Sequence, residues 1–312
     1  MNKASLKPAI TWTTTVISVA LMVFVFNKSL DTVAVDYSLL MTPHFMISFG
    51  GAFLVVLGGS MMLPANYGRL LYLVSDKKID NSFRGVISVY CKTQIFKYLP
   101  GNVFHFVGRQ LFLKELSFRQ TDIANTTLGE ILGLASAATL ICVILGRNEL
   151  NDVISTDLLV DPKLFIGVLS GLVLGVSIWL RYFLKQRRVS VPFSQIALTG
   201  FIYAMYFLAT SVALWIILKA FGINASFSNT TIIFVLAWLI GFVTPGSSAG
   251  IGLREATIFT LGNYLLGENL SLIALILRLI TVMGDGGQWS IGYYLGRSAT
   301  ILSDKKPINP DF

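Results

Sequence analysis

Charge is scarce in this chain. Only 13% of its residues are Asp, Glu, Lys or Arg, about half of the ~25% usual in soluble domains, which argues against a solvated globular surface. There are two cysteines, Cys91 and Cys142, both in apolar segments. They form no CxxC and no Cys/His cluster, so a disulfide framework and a thiolate metal site are excluded and both read as packed thiols. The chain has no GxxxxGK[ST] loop, no HExxH and no GxSxG. Direct nucleotide-driven pumping and the hydrolases built on those motifs therefore lack support. No hydrophilic stretch is long enough for a soluble catalytic domain, and neither a cofactor nor a metal is expected.

What is present is apolar sequence, 54% of the chain. Long runs recur at 9–26, 45–63, 126–145, 164–180, 196–218, 231–242 and 270–282. About 20 helical residues cross the hydrocarbon core. Lipid leaves no backbone group unpaired, so only helices and closed barrels span it. These runs are continuous rather than alternating, which selects helices. The expected fold is all-α and polytopic, in a single membrane domain over 1–312. No small-residue cleavage site follows Phe26, so the first run reads as an uncleaved helix.

The formal charge of +8 is an orientation signal rather than a nucleic-acid footprint. Basic residues gather at Lys3/Lys7, Arg69/Lys77/Lys78/Arg84, Lys114/Arg119, Arg181/Lys185/Arg187/Arg188 and Arg297/Lys305/Lys306, whereas Asp31/Asp36, Glu149/Asp152/Asp157/Asp161 and Glu268 mark the segments between. By the positive-inside rule the basic loops, the loop 64–85 among them, are cytoplasmic and the loop 147–162 is outside. Both termini are then cytoplasmic, in the inner (plasma) membrane. Spanning helices are expected at about 9–26, 44–63, 122–146, 163–182, 195–220 and 269–295.

Two stretches break this pattern. Segment 85–113 carries Lys92, Lys97, Pro100-Gly101, His105 and Arg109. A full crossing there would put Lys114 and Arg119 on the wrong side. A hairpin turning at Pro100-Gly101 keeps them inside, with arms of about 20 Å at 1.5 Å per residue. Segment 229–264 is broken likewise at Pro245-Gly246-Ser247-Ser248-Ala249-Gly250. Pro removes a backbone donor and Gly accepts turn dihedrals, so both suit a hairpin tip. The alternative is a kinked spanning helix at each break. The hairpin reading gives six spans and two re-entrant hairpins, in the order span, span, hairpin, span, repeated with inverted orientation. Residues 1–146 form the first repeat, 163–296 the second and 297–312 a cytoplasmic tail. The Pro-to-Arg spacing is the same in Pro100/Arg109 and Pro245/Arg254. Inverted repeats with matching broken segments point to a transporter's central site.

Candidate binding residues follow from that layout. Asn102, Ser247 and Ser248 add polar groups at the tips, where restarting helices present free N–H groups and a positive dipole end suited to phosphate or carboxylate. Arg109, Arg254, Arg278, Glu130, Glu255 and Asp285 are ionisable groups inside apolar segments. Such groups face a cavity and have partners, because lipid penalises them. They form either a salt-bridge set that holds helices together, with Arg278 and Glu130 expected to pair, or a headgroup site. In the site reading Arg109 and Arg254 bind the anion, while Glu130, Glu255, Arg278 and Asp285 balance charge or handle protons. His105 shares a helix face with Arg109 and is either a proton relay or a core histidine. His44 is expected at the interface. Lys92 and Lys97 are expected to snorkel to the cytoplasm, with Gln94 able to line the same cavity.

Two segments carry a resemblance, 97–109 (KYLPGNVFHFVGR) and 242–255 (FVTPGSSAGIGLRE). They resemble hallmark segments of the lysylphosphatidylglycerol synthase transmembrane region, or flippase-like domain, family, whose members show YLPG…GR and PGG-G-RE segments. The resemblance covers about residues 9–296. It singles out Pro100, Gly101, Arg109, Pro245, Gly246, Gly250, Arg254 and Glu255, and departs from the family where Ser247 follows Pro-Gly. It implies a stand-alone lipid-handling membrane domain near envelope glycan or glycolipid enzymes. The function expected is flippase-like movement of an anionic phospholipid or polyprenyl-phosphate-linked glycolipid between leaflets. Its partners would be the membrane and the lipid-linked headgroup, not nucleic acid. A membrane transferase acting on a lipid-linked sugar or aminoacyl group, with Glu255 or Asp285 as base, is the alternative. A scaffold for envelope enzymes is a third reading.

Overall fold

The computed structural model describes residues 37–75, 77–79, 82–99, 103–145, 192–244 and 248–303. The expected spans 9–26 and 163–182, the loop 147–162, and the tip residues Pro100, Gly101, Asn102, Pro245, Gly246 and Ser247 lie outside the described residues. Within them the fold is all-helical. A short 3-10 turn at Tyr37–Met41 leads into α1 (Pro43–Val74), α2 (Phe83–Gln94), α3 (Phe104–Glu115) and α4 (Gln120–Leu145). The later part holds α5 (Phe193–Ala220), α6 (Phe227–Val243), α7 (Leu253–Leu266) and α8 (Ser271–Ser303). Single 3-10 turns at Ile95–Tyr98 and Ser248–Gly250 precede α3 and α7.

Four helices are long and apolar enough to cross a membrane: α1, α4, α5 and residues Ser271–Arg297 of α8. The chain is accordingly a helical membrane protein. The 12 residues of α2, 12 of α3 and 14 of α7 fall short of the ~20 needed to span. The 17 of α6 sit at the lower edge of that range.

Local signals set the helix starts. Thr42 caps α1, its hydroxyl accepting from the Phe45 N–H at 3.2 Å, with Pro43 in the first turn where a missing N–H costs nothing. Ser226 caps α6 by accepting from the Asn229 N–H at 3.1 Å. Hydroxyls inside the helices bond back to their own backbone, as Thr126 does to Asp122 at 2.8 Å and Ser211 to Phe207 at 2.8 Å. Such bonds dispose of polar groups where water is absent.

The structure corrects two expected boundaries. α1 does not end near residue 63 but runs through Pro64 to Val74, so Arg69 belongs to a helix and not to a basic loop. There Arg69 donates to Asn66 at 2.9 Å and to Thr199 at 2.5 Å on α5. Proline inside a helix frees the carbonyl four residues earlier. Here that carbonyl, on Ser60, accepts from the buried Gln288 side chain of α8 at 3.0 Å. A neighbouring helix thus supplies the bond that Pro64 removes. At the other end, α8 continues to Ser303, past the expected tail boundary at 297.

Helix packing has a regularity. Exchanging α1, α2, α3 and α4 with α5, α6, α7 and α8 leaves the set of packed helix pairs unchanged. α1 packs on α5; α8 packs on α2 as α4 packs on α6; α3 meets α2 and α4 as α7 meets α6 and α8. Small residues permit close approach at the interfaces. A Cβ added to Gly59 of α1 would lie 2.8 Å from that of Ala209 on α5, and one on Gly292 of α8 would lie 2.5 Å from that of Cys91 on α2. This is how membrane helices gain contact where lipid offers no hydrophobic drive. Both cysteines are free and buried.

Candidate functional site

All eight helices contribute to one partly open cavity of about 120 Å³. Its charged lining comprises Lys97, Arg109, Glu130, Arg254, Arg278 and Asp285, with His105 beside them. Residues far apart in sequence therefore converge, as the cost of isolated charge in an apolar segment requires. Glu255 sits behind Arg278, 2% exposed. Gly250 touches Arg254, and Ser248 opens the 3-10 turn between them and α6.

Three ion pairs organise the charges. Arg109, 1% exposed, places Nη1 2.5 Å from a Glu130 oxygen and donates Nη2 to Gln94 at 2.7 Å. Its guanidinium carbon lies 3.5 Å from the Tyr90 ring centroid, and the Tyr90 hydroxyl donates to the other Glu130 oxygen at 2.6 Å. Second, Arg278 Nε lies 3.6 Å from Glu255, while Arg278 Nη1 donates to the Ala249 carbonyl at 3.2 Å. Third, Lys97 Nζ contacts Asp285 at 2.8 Å, and the Tyr98 hydroxyl donates to the same carboxylate.

The expected pairing of Arg278 with Glu130 is overturned: Glu130 pairs with Arg109, and Arg278 with Glu255. Each of α3 and α7 is thereby tied to the helix that follows it, α3 to α4 and α7 to α8, by one Arg–Glu pair of opposite polarity. Lys97, expected to snorkel, instead pairs with Asp285 at 2.8 Å, its side chain 23% exposed. Gln94 lines the cavity as expected, and His44 is exposed. His105 is 8% exposed, its ring close to Phe106 and its Nδ1 without a hydrogen bond among the described residues.

Arg254 differs from Arg109. No carboxylate pairs with it among the described residues, whereas its Nε, like that of Arg109, is buried without a hydrogen-bond partner there. Its nearest aromatic is Trp238, with the guanidinium carbon 5.9 Å from the ring centroid. The side-chain stem is seated between two glycines. A Cβ on Gly241 or on Gly250 would come within 2.6 Å of Arg254 atoms. Gly250 also holds φ +73, which other residues adopt only with strain. Replacing Gly241 by Ala is expected to displace Arg254 and lower stability by about 1–3 kcal/mol, the usual cost of overpacking. Thermal unfolding of the purified variant checks this, and an unchanged midpoint would show that the slot is loose.

The two helix starts differ. Among the described residues no side chain caps α3. At α7, the Gly252 N–H donates to Glu255 at 2.7 Å, so the helix spends its first free donor on its own carboxylate. Tyr90 and Tyr98 were not apparent as site residues, because an aromatic in an apolar segment carries no mark of the carboxylate it will meet.

Comparison with known proteins adds no assignment: no family profile, curated protein or solved structure matches the chain.

Proposed function

We propose that this chain is a flippase-like lipid translocase that moves an anionic phospholipid or a polyprenyl-phosphate-linked glycolipid between leaflets during envelope biogenesis. The observation that carries the reading is the cavity's charge. Among the described residues four cations, Lys97, Arg109, Arg254 and Arg278, meet three carboxylates, Glu130, Glu255 and Asp285, and Arg254 is left without a counter-ion. A positive charge in an apolar wall calls for an anion. The cavity's ~120 Å³ suits one headgroup phosphate and a few waters. It is well below the ~300 Å³ of sites that enclose a whole small molecule. The acyl or prenyl chains would stay in lipid.

The exchange regularity of the helix packing supports an inverted repeat, and the shortness of α2, α3 and α7 supports re-entrant hairpins around a central site. With the segments 9–26 and 163–182, outside the described residues, as further spans, the six-span topology with cytoplasmic termini in the plasma membrane stands as part of this proposal. The resemblance to the flippase-like domain family points the same way. Transfer chemistry is less favoured. Both oxygens of Asp285 and both of Glu255 are engaged by protein donors or cations, leaving neither poised as a general base.

The test is leaflet exchange of a labelled anionic lipid in proteoliposomes, paired with a search for new product in detergent, where no leaflets exist. Exchange above protein-free vesicles with no product is expected. Product formation without exchange would replace the translocase with the transferase.

A further inference from the structure

The cavity's charge balance also specifies the headgroup, given the translocase reading. We infer that the site is built for a single phosphodiester, with one negative charge, and discriminates against diphosphate-linked lipids. Three ion pairs neutralise Lys97, Arg109 and Arg278 within the described residues, so the surplus is one positive charge, on Arg254. A monoanion cancels that surplus. A diphosphate brings at least one further charge into a cavity whose other cations are already paired among the described residues, and an uncompensated buried charge is strongly disfavoured. The cavity's size acts in the same direction, since ~120 Å³ leaves room for one phosphate-sized group rather than two with their hydration.

The donors are arranged for such a group. The slot between Gly241 and Gly250 fixes the stem of Arg254, which restricts where its guanidinium fork can present itself. Arg278 carries a second incompletely used fork: Nε faces Glu255 and Nη1 the Ala249 carbonyl, while Nη2 has no hydrogen-bond partner among the described residues. Arg254 and Arg278 both line this cavity, and two planar guanidinium groups match the several acceptor oxygens of a phosphodiester. The same chemistry occurs in a glycerophospholipid and in a monophosphate-linked prenyl sugar, so the probes must separate these sources.

The experiment is ligand-dependent thermal stabilisation of the full chain in nonionic detergent. Dihexanoyl phosphatidylglycerol, a farnesyl phosphoryl sugar and farnesyl diphosphate serve as probes. At least one of the two diesters is expected to bind about tenfold more tightly than the diphosphate, and the better one identifies the source. Equal or tighter binding of the diphosphate overturns the inference. Asp285→Asn adds one positive charge and should shift the preference about tenfold toward diphosphate; an unchanged ratio in folded protein also overturns it. If that variant does not fold because Lys97 is left unpaired, Arg254→Gln decides. No ion pair among the described residues depends on Arg254, and its loss should weaken the better diester about tenfold; unaltered diester affinity overturns the inference. Diester preference without leaflet exchange would sink the translocase reading and leave the subsite standing. Exchange with a diphosphate preference would do the reverse.

Discussion

Arg109→Ala is expected to lower the unfolding free energy by about 3–5 kcal/mol, the cost of breaking a buried ion pair from one side. Glu130 is 3% exposed and would be left with only the Tyr90 hydroxyl as donor among the described residues. Gln94 would lose its bond from Nη2, and the Tyr90 ring its cation. Arg109→Lys should fall between parent and Ala. It retains charge, but a single ammonium cannot bridge Glu130 and Gln94 while stacking flat on Tyr90. A double replacement, Arg109→Met with Glu130→Leu, should recover most of the loss, since removing both charges also removes the stranded one. The Tyr90 hydroxyl, left without its acceptor, would keep part of the deficit, about 1–3 kcal/mol. Equilibrium unfolding in mixed micelles measures all three. A loss under ~1 kcal/mol for the Ala variant would mean that this corner of the cavity is hydrated and that the pair contributes little.

The sequence made this site legible through cost. Arg109, Glu130, Arg254, Arg278 and Asp285 stand out because an apolar helix has no cheap place for them, and all five line the cavity. Who pairs with whom was not legible. Arg278 and Glu130 occupy comparable positions after the two broken segments, yet contact depends on which helix face turns inward. The short helices α3 and α7 intervene and take one partner each. The helix types were legible from run length, and the extension of α1 past Pro64 was not. Proline signals an end in a single sequence, whereas here Gln288, distant in the chain, meets the backbone group that Pro64 leaves open. The role of Lys97 failed for a similar reason. A lysine near a basic loop reads as snorkelling, and only the fold brings Asp285 to it.

Two arginines at matching positions after matching Pro-Gly breaks invite one shared role, and their surroundings separate them. Arg109 gives both Nη groups to protein acceptors, whereas Arg254 is clamped by glycines and left without a counter-ion among the described residues. Function and stability should therefore divide between them. In Arg254→Lys no ion pair breaks, so unfolding stability should stay within about 1 kcal/mol of the parent. Leaflet exchange should nevertheless fall, because the ammonium keeps the charge but loses the planar fork that grips a phosphodiester with two parallel bonds. A hydrogen bond to a charged group contributes about 1.5–3 kcal/mol, so the slowing should be roughly ten- to a hundredfold for Lys and greater for Gln, which loses the charge as well. The readout is exchange rate in proteoliposomes at matched protein density, beside the unfolding measurement on the same preparation. Arg109→Lys is the internal contrast, losing stability and losing exchange only in proportion to the unfolded fraction. Parental exchange in folded Arg254→Lys would remove Arg254 from the headgroup site. The search would then move to the incompletely bonded Arg278 and His105.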